Sequence, residues 1–246
     1  MYQFFVEPQQ IQGNTIRITG TDVNHMKHVL RMRIGEELNV SNGIDQKEYR
    51  CAIVGFEEDA VLCELRFVKE DGVELASKVY LFQGLPKADK MELIIQKAVE
   101  LGVYEIIPMA TKRAVVKLDE KKAKNKIERW QAIAEAAAKQ SKRRVIPKIT
   151  DVMTMTEAIA YAGEMDVKLI PYELAEGMIH TKDIMDSLQA EQTIAVFIGP
   201  EGGFDEMEIQ AAIDAGMSPI TLGKRILRTE TAGFTMLAWI MYQLEQ

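Results

Sequence analysis

Two glycine-rich stretches near the carboxyl end carry the residues best suited to chemistry. The first is Phe197-Ile198-Gly199-Pro200-Glu201-Gly202-Gly203-Phe204. The second is Leu222-Gly223-Lys224-Arg225-Ile226-Leu227-Arg228-Thr229-Glu230-Thr231-Ala232-Gly233. Each combines glycines, which let a ligand approach the main chain, with a carboxylate. The second adds three cations. Backbone donors and acceptors next to apolar residues suit a ligand with an apolar ring and polar ends. A carboxylate beside an arginine suits proton removal and stabilisation of the resulting anion. Neither stretch is a dinucleotide fingerprint, since Gly-x-Gly-x-x-Gly is absent, and no Gly-Lys-Ser/Thr makes a phosphate loop.

The elements that must position them follow from local pattern. Thr193 to Ile198 is an apolar, β-branched run, read as a buried parallel strand. Asp205 with Glu208 three residues on reads as a capping box opening a helix over 205–215. The first stretch therefore lies where a strand ends and a helix begins, the place where open α/β sheets bind ligands. The second lies between a short strand, 218–222, and a final apolar helix, 231–244.

Upstream the alternation continues: strand 78–84, helix 88–101 closed by Gly102, strand 103–109, helix 121–143, helix 154–162, strand 166–172 and a helix near 182–188. This predicts a parallel sheet covered on both faces. Residues 1–72 read instead as short strands at 4–6, 15–18, 37–40, 49–54 and 61–68, a small barrel. A helix over 22–30 interrupts them, with Val23, Met26, Val29 and Leu30 on its apolar face. Glu70-Asp71-Gly72 reads as the linker.

The chain has 246 residues and a net charge of −7, yet Lys112 to Lys148 holds 13 Lys/Arg against 4 Asp/Glu, a local +9. Such asymmetry is the electrostatic footprint of an RNA-binding face, or otherwise a solvated helix surface. Cys51 and Cys63, the two cysteines, lack metal-ligand spacing and read as buried reduced thiols. His25 and His28 have no carboxylate or cysteine cluster to complete a metal site. There is no apolar run of membrane-spanning length. The first ten residues lack a signal-peptide pattern, so a cytoplasmic location is expected.

The two glycine-rich stretches resemble the cofactor loops of the SPOUT methyltransferases. The likeness is closest to the ribosomal RNA small subunit methyltransferase E family. His25 to Arg31, Lys87 to Gly102, Arg129-Trp130 and Glu135 to Pro147 agree with that family in order. The resemblance implies a SPOUT-type α/β methyltransferase domain with a deep trefoil knot at 73–246, preceded by a PUA-like β-barrel RNA-binding domain at 1–72. It implies transfer of a methyl group from S-adenosylmethionine to N3 of a specific uridine in 16S ribosomal RNA. The expected partner is the small ribosomal subunit, with no membrane and no metal. The cofactor residues would be Ile198, Gly199, Pro200, Glu201, Gly202, Gly203, Leu222, Gly223, Ile226, Leu227 and Ala232. Arg228, Glu230 and Glu201 would be catalytic, with the identity of the base open. His25, His28, Arg31, Lys87, Lys90, Arg113, Arg129, Arg143 and Arg144 would contact RNA. The final helix, apolar over most of its circumference, is expected to be covered in a homodimer. Alternatives are a SPOUT enzyme acting on a ribose 2′-OH or purine N1, an RNA-binding assembly factor without turnover, and a small-molecule α/β enzyme.

Overall fold

The computed structural model describes residues 1–70, 72–172 and 177–245. Asp71, in the middle of the expected linker, lies outside the described residues. Two compact units result: Met1–Glu74 with Ala138–Ile146, and Leu75–Ala137 with Pro147–Gln246.

The first unit is a six-stranded sheet in the order β1-β4-β5-β6-β3-β2. Its strands are β1 (Gln3–Phe5), β2 (Ile11–Gln12), β3 (Thr15–Thr19), β4 (Glu37–Ser41), β5 (Glu48–Phe56) and β6 (Ala60–Lys69). Only β1 and β4 pair in parallel. Phe4 of β1 and Ile16 and Ile18 of β3 belong to one buried cluster with Leu38, Val40, Ile53, Val61 and both cysteines. Strands from opposite regions of the sheet thus share a core, which requires the sheet to curl around it. Both thiols are buried and reduced.

The helix expected over 22–30 is instead a short α1 (Thr21–Asn24) that runs into a π-type turn, His25–Val29. Leu30 N–H reaches back to the His25 carbonyl at 2.9 Å. The widened turn keeps Val23 and Met26 in the core but rotates Val29 into solvent, 63% exposed. His25 and His28 face outward, and Arg31, with φ of 53°, ends the segment.

The same unit contains a buried charge cluster. Glu74 accepts from Arg143 Nε at 3.0 Å, from its Nη2, and from Arg144 N–H at 2.9 Å. Arg144 Nη1 donates to the carbonyls of Gln46 and Lys69.

The second unit is a seven-stranded parallel sheet, built on the order β10-β8-β7-β12-β11-β13 with β9 beside β8. Its strands are β7 (Lys78–Gly84), β8 (Glu105–Ala110), β9 (Lys148–Ile149), β10 (Met153–Thr154), β11 (Val167–Pro171), β12 (Thr193–Ile198) and β13 (Ser218–Ile220). Its helices are α2 (Lys90–Glu100), α3 (Glu120–Gln140), α4 (Met155–Tyr161), α5 (Met178–Asp186), α6 (Glu206–Asp214) and α7 (Thr229–Leu244). The short strands β9 and β10 have no pattern of their own in the sequence. They are created by pairing with β8. Phe82 and Phe197 stack at 4.2 Å between the central strands β7 and β12. α6 opens on the predicted capping box: Asp205 Oδ1 accepts from Met207 N–H, and Glu208 Oε2 from Asp205 N–H. No helix among the described residues is long and apolar enough to cross a membrane.

Candidate active site

β7 and β12 are neighbours in parallel register, Gln83 opposite Ile198. The loop after β12 therefore starts beside Gly84. It turns across so tightly that a Cβ on Gly84 would lie 2.6 Å from Pro200 Cδ and 2.7 Å from Pro200 N. Only glycine fits there. Gly203 closes the turn at φ +67°, with its N–H on the Pro200 carbonyl at 2.9 Å.

This loop and the segment before α7 enclose a cleft of about 600 Å³. Ile198, Gly199, Pro200, Glu201, Gly202, Gly203, Ile226, Leu227 and Ala232 line it, together with Arg228, Lys90 and Arg113. Leu222 and Gly223 line an adjoining cleft of about 580 Å³ with Thr221, Met178, Lys224 and Arg225. The two share Pro171, Tyr172, Ile226, Leu227 and Ala232. The expected cofactor residues thus form two connected lobes at the carboxyl ends of β11, β12 and β13. Their apolar walls suit a flat ring, and the main chain of both loops supplies polar contacts.

Tyr172 and Pro171 were not singled out from the sequence. Their signal was available, since they end a strand that runs parallel to β12. Gln83 and Thr229 had no such signal. Gln83, fully buried, donates through Nε2 to Thr229 Oγ1 at 2.9 Å and to the Gly84 carbonyl at 2.9 Å. The Thr229 hydroxyl donates to the Gly199 carbonyl at 2.6 Å.

The charged groups sort by position. Arg228 lines the cleft, and among the described residues its side chain has no carboxylate partner. Glu201 accepts from Lys90 Nζ at 3.0 Å and from Lys87 N–H at 3.1 Å. Burial pushes its carboxyl up, but the Lys90 ammonium and the backbone N–H groups of Glu201 and Lys87 outweigh this and hold it below the usual carboxylate range. Lys90 is held above the usual lysine range, chiefly by Glu201. Glu230 is not part of the cleft wall. Its Oε2 is buried, 3.4 Å from Lys90 Nζ. Lys90, read from the sequence as an RNA contact, is therefore committed to two carboxylates.

The other expected RNA contacts divide likewise. His25, His28 and Arg31 are exposed in the first unit, and Lys87 is exposed in the second. Arg113 is half-exposed at the cleft, 3.9 Å from Asp205. Arg129 is exposed but paired with Glu92 at 2.8 Å. Arg143 and Arg144 are corrected: they are only 5% and 1% exposed, Arg143 pairs with Glu74, and the Arg144 guanidinium donates to the Gln46 and Lys69 carbonyls and lies 4.0 Å from Glu48, all inside the first unit. Elsewhere the basic stretch stays at the surface, with Lys117, Lys121, Lys122, Lys124, Lys142 and Lys148 exposed.

The parallel α/β unit with its two glycine loops and the separate β unit before it both match families of RNA methyltransferase domains. The RNA methyltransferase domain family matches residues 73–241, and the RNA methyltransferase PUA domain family matches residues 18–66. Ribosomal RNA small subunit methyltransferase E of Bacillus subtilis (strain 168) is 39% identical over 251 residues, covering 100% of this chain and 98% of the relative. Its namesake in Mesomycoplasma hyopneumoniae (strain 232) is 38% identical, covering 96% of this chain and 97% of the relative. A crystal structure of ribosomal RNA small subunit methyltransferase E from Neisseria gonorrhoeae bound to S-adenosyl methionine has a TM-score of 0.84 at 30% identity, covering 98% of this chain and 97% of that one. The chain belongs to the ribosomal RNA small subunit methyltransferase E family.

Proposed function

We propose that this protein methylates N3 of a specific uridine in 16S ribosomal RNA of the small subunit, using S-adenosylmethionine. One observation carries the reading: the two glycine loops form one continuous apolar cleft whose open wall bears Arg228, Lys90 and Glu201. When bound, S-adenosylmethionine supplies a methyl group on a sulfonium, a positive centre that Glu201 and Glu206 on the cleft wall would attract. The residues named for the cofactor bind and orient it through backbone groups at 199–203 and 222–223 and through the apolar side chains of Ile198, Ile226, Leu227 and Ala232.

Uridine N3 carries a proton that must leave before the nitrogen can attack. Its pKa lies roughly two to three units above neutral, so catalysis needs an acceptor and a cation for the ring oxygens. Arg228 is the cation with no carboxylate partner among the described residues, and Glu201, ionised across neutral pH, is the acceptor in the cleft. His25, His28, Arg31, Lys87 and Arg113 hold the RNA through phosphate and base contacts.

Residues 1–72 act as the PUA-like RNA-binding domain and 73–246 as the methyltransferase domain. The deep trefoil knot is carried over from the resemblance of the two glycine loops to those of the SPOUT methyltransferases. Two copies associate through α7, where Phe234, Ala238 and Met241 remain half-buried and Tyr242 is 72% exposed. The expected compartment is the cytoplasm, where ribosomal subunits are assembled. The test is methyl transfer to small subunits from a strain lacking the enzyme, followed by nucleoside mass mapping. N3-methyluridine should appear at one site, and a methyl on a ribose or purine instead would overturn the reading.

A further inference from the structure

The Lys90 side chain on the cleft wall lies between two carboxylates from different segments, Glu201 and Glu230. Lys90 begins α2, Glu201 lies in the loop after β12, and Glu230 lies in the first turn of α7. Nζ sits 3.0 Å from Glu201 Oε1, on the cleft side, and 3.4 Å from Glu230 Oε2, on the buried side. Glu230 Oε2 makes no hydrogen bond with acceptable geometry and is closed to solvent. Glu230 does not line the cleft and aims its buried Oε2 at Lys90, so it is placed to hold the ammonium rather than to take a proton from a ring in the cleft, which needs hydrogen-bond distance or one bridging water.

We infer that Lys90 is a catalytic cation for the uracil ring and that Glu230 is its positioning residue rather than the general base. This rests on the uridine-N3 reading above. The N3 proton passes to Glu201. Its electron pair stays on the ring, shared with the flanking carbonyl oxygens, and then forms the N3–C bond as the C–S bond breaks. Protonation removes the Glu201 charge, so Lys90 loses its cleft-side partner as a ring oxygen gains negative charge. Glu230, which takes no part in the proton transfer, holds Nζ at the wall. The ammonium thereby exchanges one anion for another without moving far, so little reorganisation is needed during reaction. Before the proton moves, Glu201 holds Lys90 above the usual lysine range, so the ammonium enters the step charged. Arg228, Arg113 and Glu206 are the other charged groups on this wall.

The experiment is single-turnover methyl transfer from radiolabelled S-adenosylmethionine to isolated small subunits, both saturating, for Lys90→Met, Lys90→Arg, Glu230→Gln and the double variant Lys90→Met/Glu230→Gln. Lys90→Met should slow transfer about 10²-fold, with cofactor affinity by calorimetry unchanged. Lys90→Arg should recover part of the rate. Glu230→Gln should cost less, about tenfold, and should cost nothing further in the Lys90→Met background, because it acts through Lys90. The Lys90→Met deficit should shrink as pH rises towards the N3 pKa. A Lys90→Met enzyme as fast as wild type overturns the inference, as does a Glu230→Gln defect that persists in full when Lys90 is already gone. If wild type itself yields no N3-methyluridine, the functional reading fails. If wild type does and the Lys90 variants match it, only this inference fails.

Discussion

Thr229 donates its hydroxyl to the carbonyl of Gly199 at 2.6 Å, joining the first residue of α7 to the loop after β12. Gln83 donates to the same hydroxyl from β7 beneath. Three segments far apart in sequence are therefore fixed by one buried chain of hydrogen bonds. Thr229→Val keeps the shape but leaves the Gln83 amide and the Gly199 carbonyl short of a partner, at a cost of about 1–3 kcal/mol. Cofactor affinity should fall about tenfold or more, and Thr229→Ser should restore it. Calorimetric titration with S-adenosylmethionine checks both. Equal affinity of the valine variant and wild type would remove this network from the site.

The tight turn predicts a second outcome. Gly84→Ala places a methyl group against Pro200 and Gly199, where the nearest atoms are backbone and ring. Gly203→Val forces a β-branched residue into a positive φ. Both variants should lose most cofactor binding while the far-ultraviolet circular dichroism remains that of a folded α/β protein. Retained binding in both would show that the loop is not the cofactor platform.

Arg228 lines the cleft and has no counter-ion among the described residues. If it stabilises charge on the uracil, Arg228→Ala should lower the single-turnover rate about 10²–10³-fold, as for one oxyanion-type donor. Affinity for the small subunit should change much less. A loss confined to RNA affinity would make Arg228 a phosphate clamp.

Arg143 and Glu74 form a buried pair, with side chains 6% and 7% exposed. Removing one member leaves the other charge uncompensated, so Arg143→Ala should destabilise the protein by about 3–5 kcal/mol. Urea unfolding of the variant measures this. A small stability change with a large loss of RNA affinity would return Arg143 to the RNA-binding surface.

Glu201 has a folded-state pKa below its ordinary value. A group depressed in this way adds stability that is present above its unfolded pKa and is lost as pH falls through the folded one. Acid should therefore weaken the Glu201 contacts with Lys90 and Lys87 only below the ordinary carboxylate range. Glu201→Gln should flatten that part of the stability–pH curve. An unchanged acid limb would contradict the pairing.

Much of this protein is determined by its sequence alone. β-Branched runs and caps are local signals, so β7 and β12 match their expected residues, and α6 opens on the Asp205–Glu208 box as read. The glycine loops were legible for the same reason. A strand followed by glycines and a cap marks the carboxyl edge of a sheet, where the cleft lies. Tertiary structure decided which charges remain available. Arg143 and Arg144 look like any basic surface run, and only tertiary structure buries them, Arg143 against Glu74 from 69 residues upstream and Arg144 against the Gln46 and Lys69 carbonyls and Glu48. Glu230 and Glu201 are equivalent as sequence. Lys90, more than a hundred residues away, separates them by facing Glu201 on the cleft side and Glu230 behind it. Gln83 shows no pattern at all, because its role is set by a hydroxyl 146 residues later. Local periodicity reports the elements, since it reflects backbone geometry and burial of a face. The pairing of polar groups depends on which elements become neighbours, and that is fixed only when the whole sheet is formed.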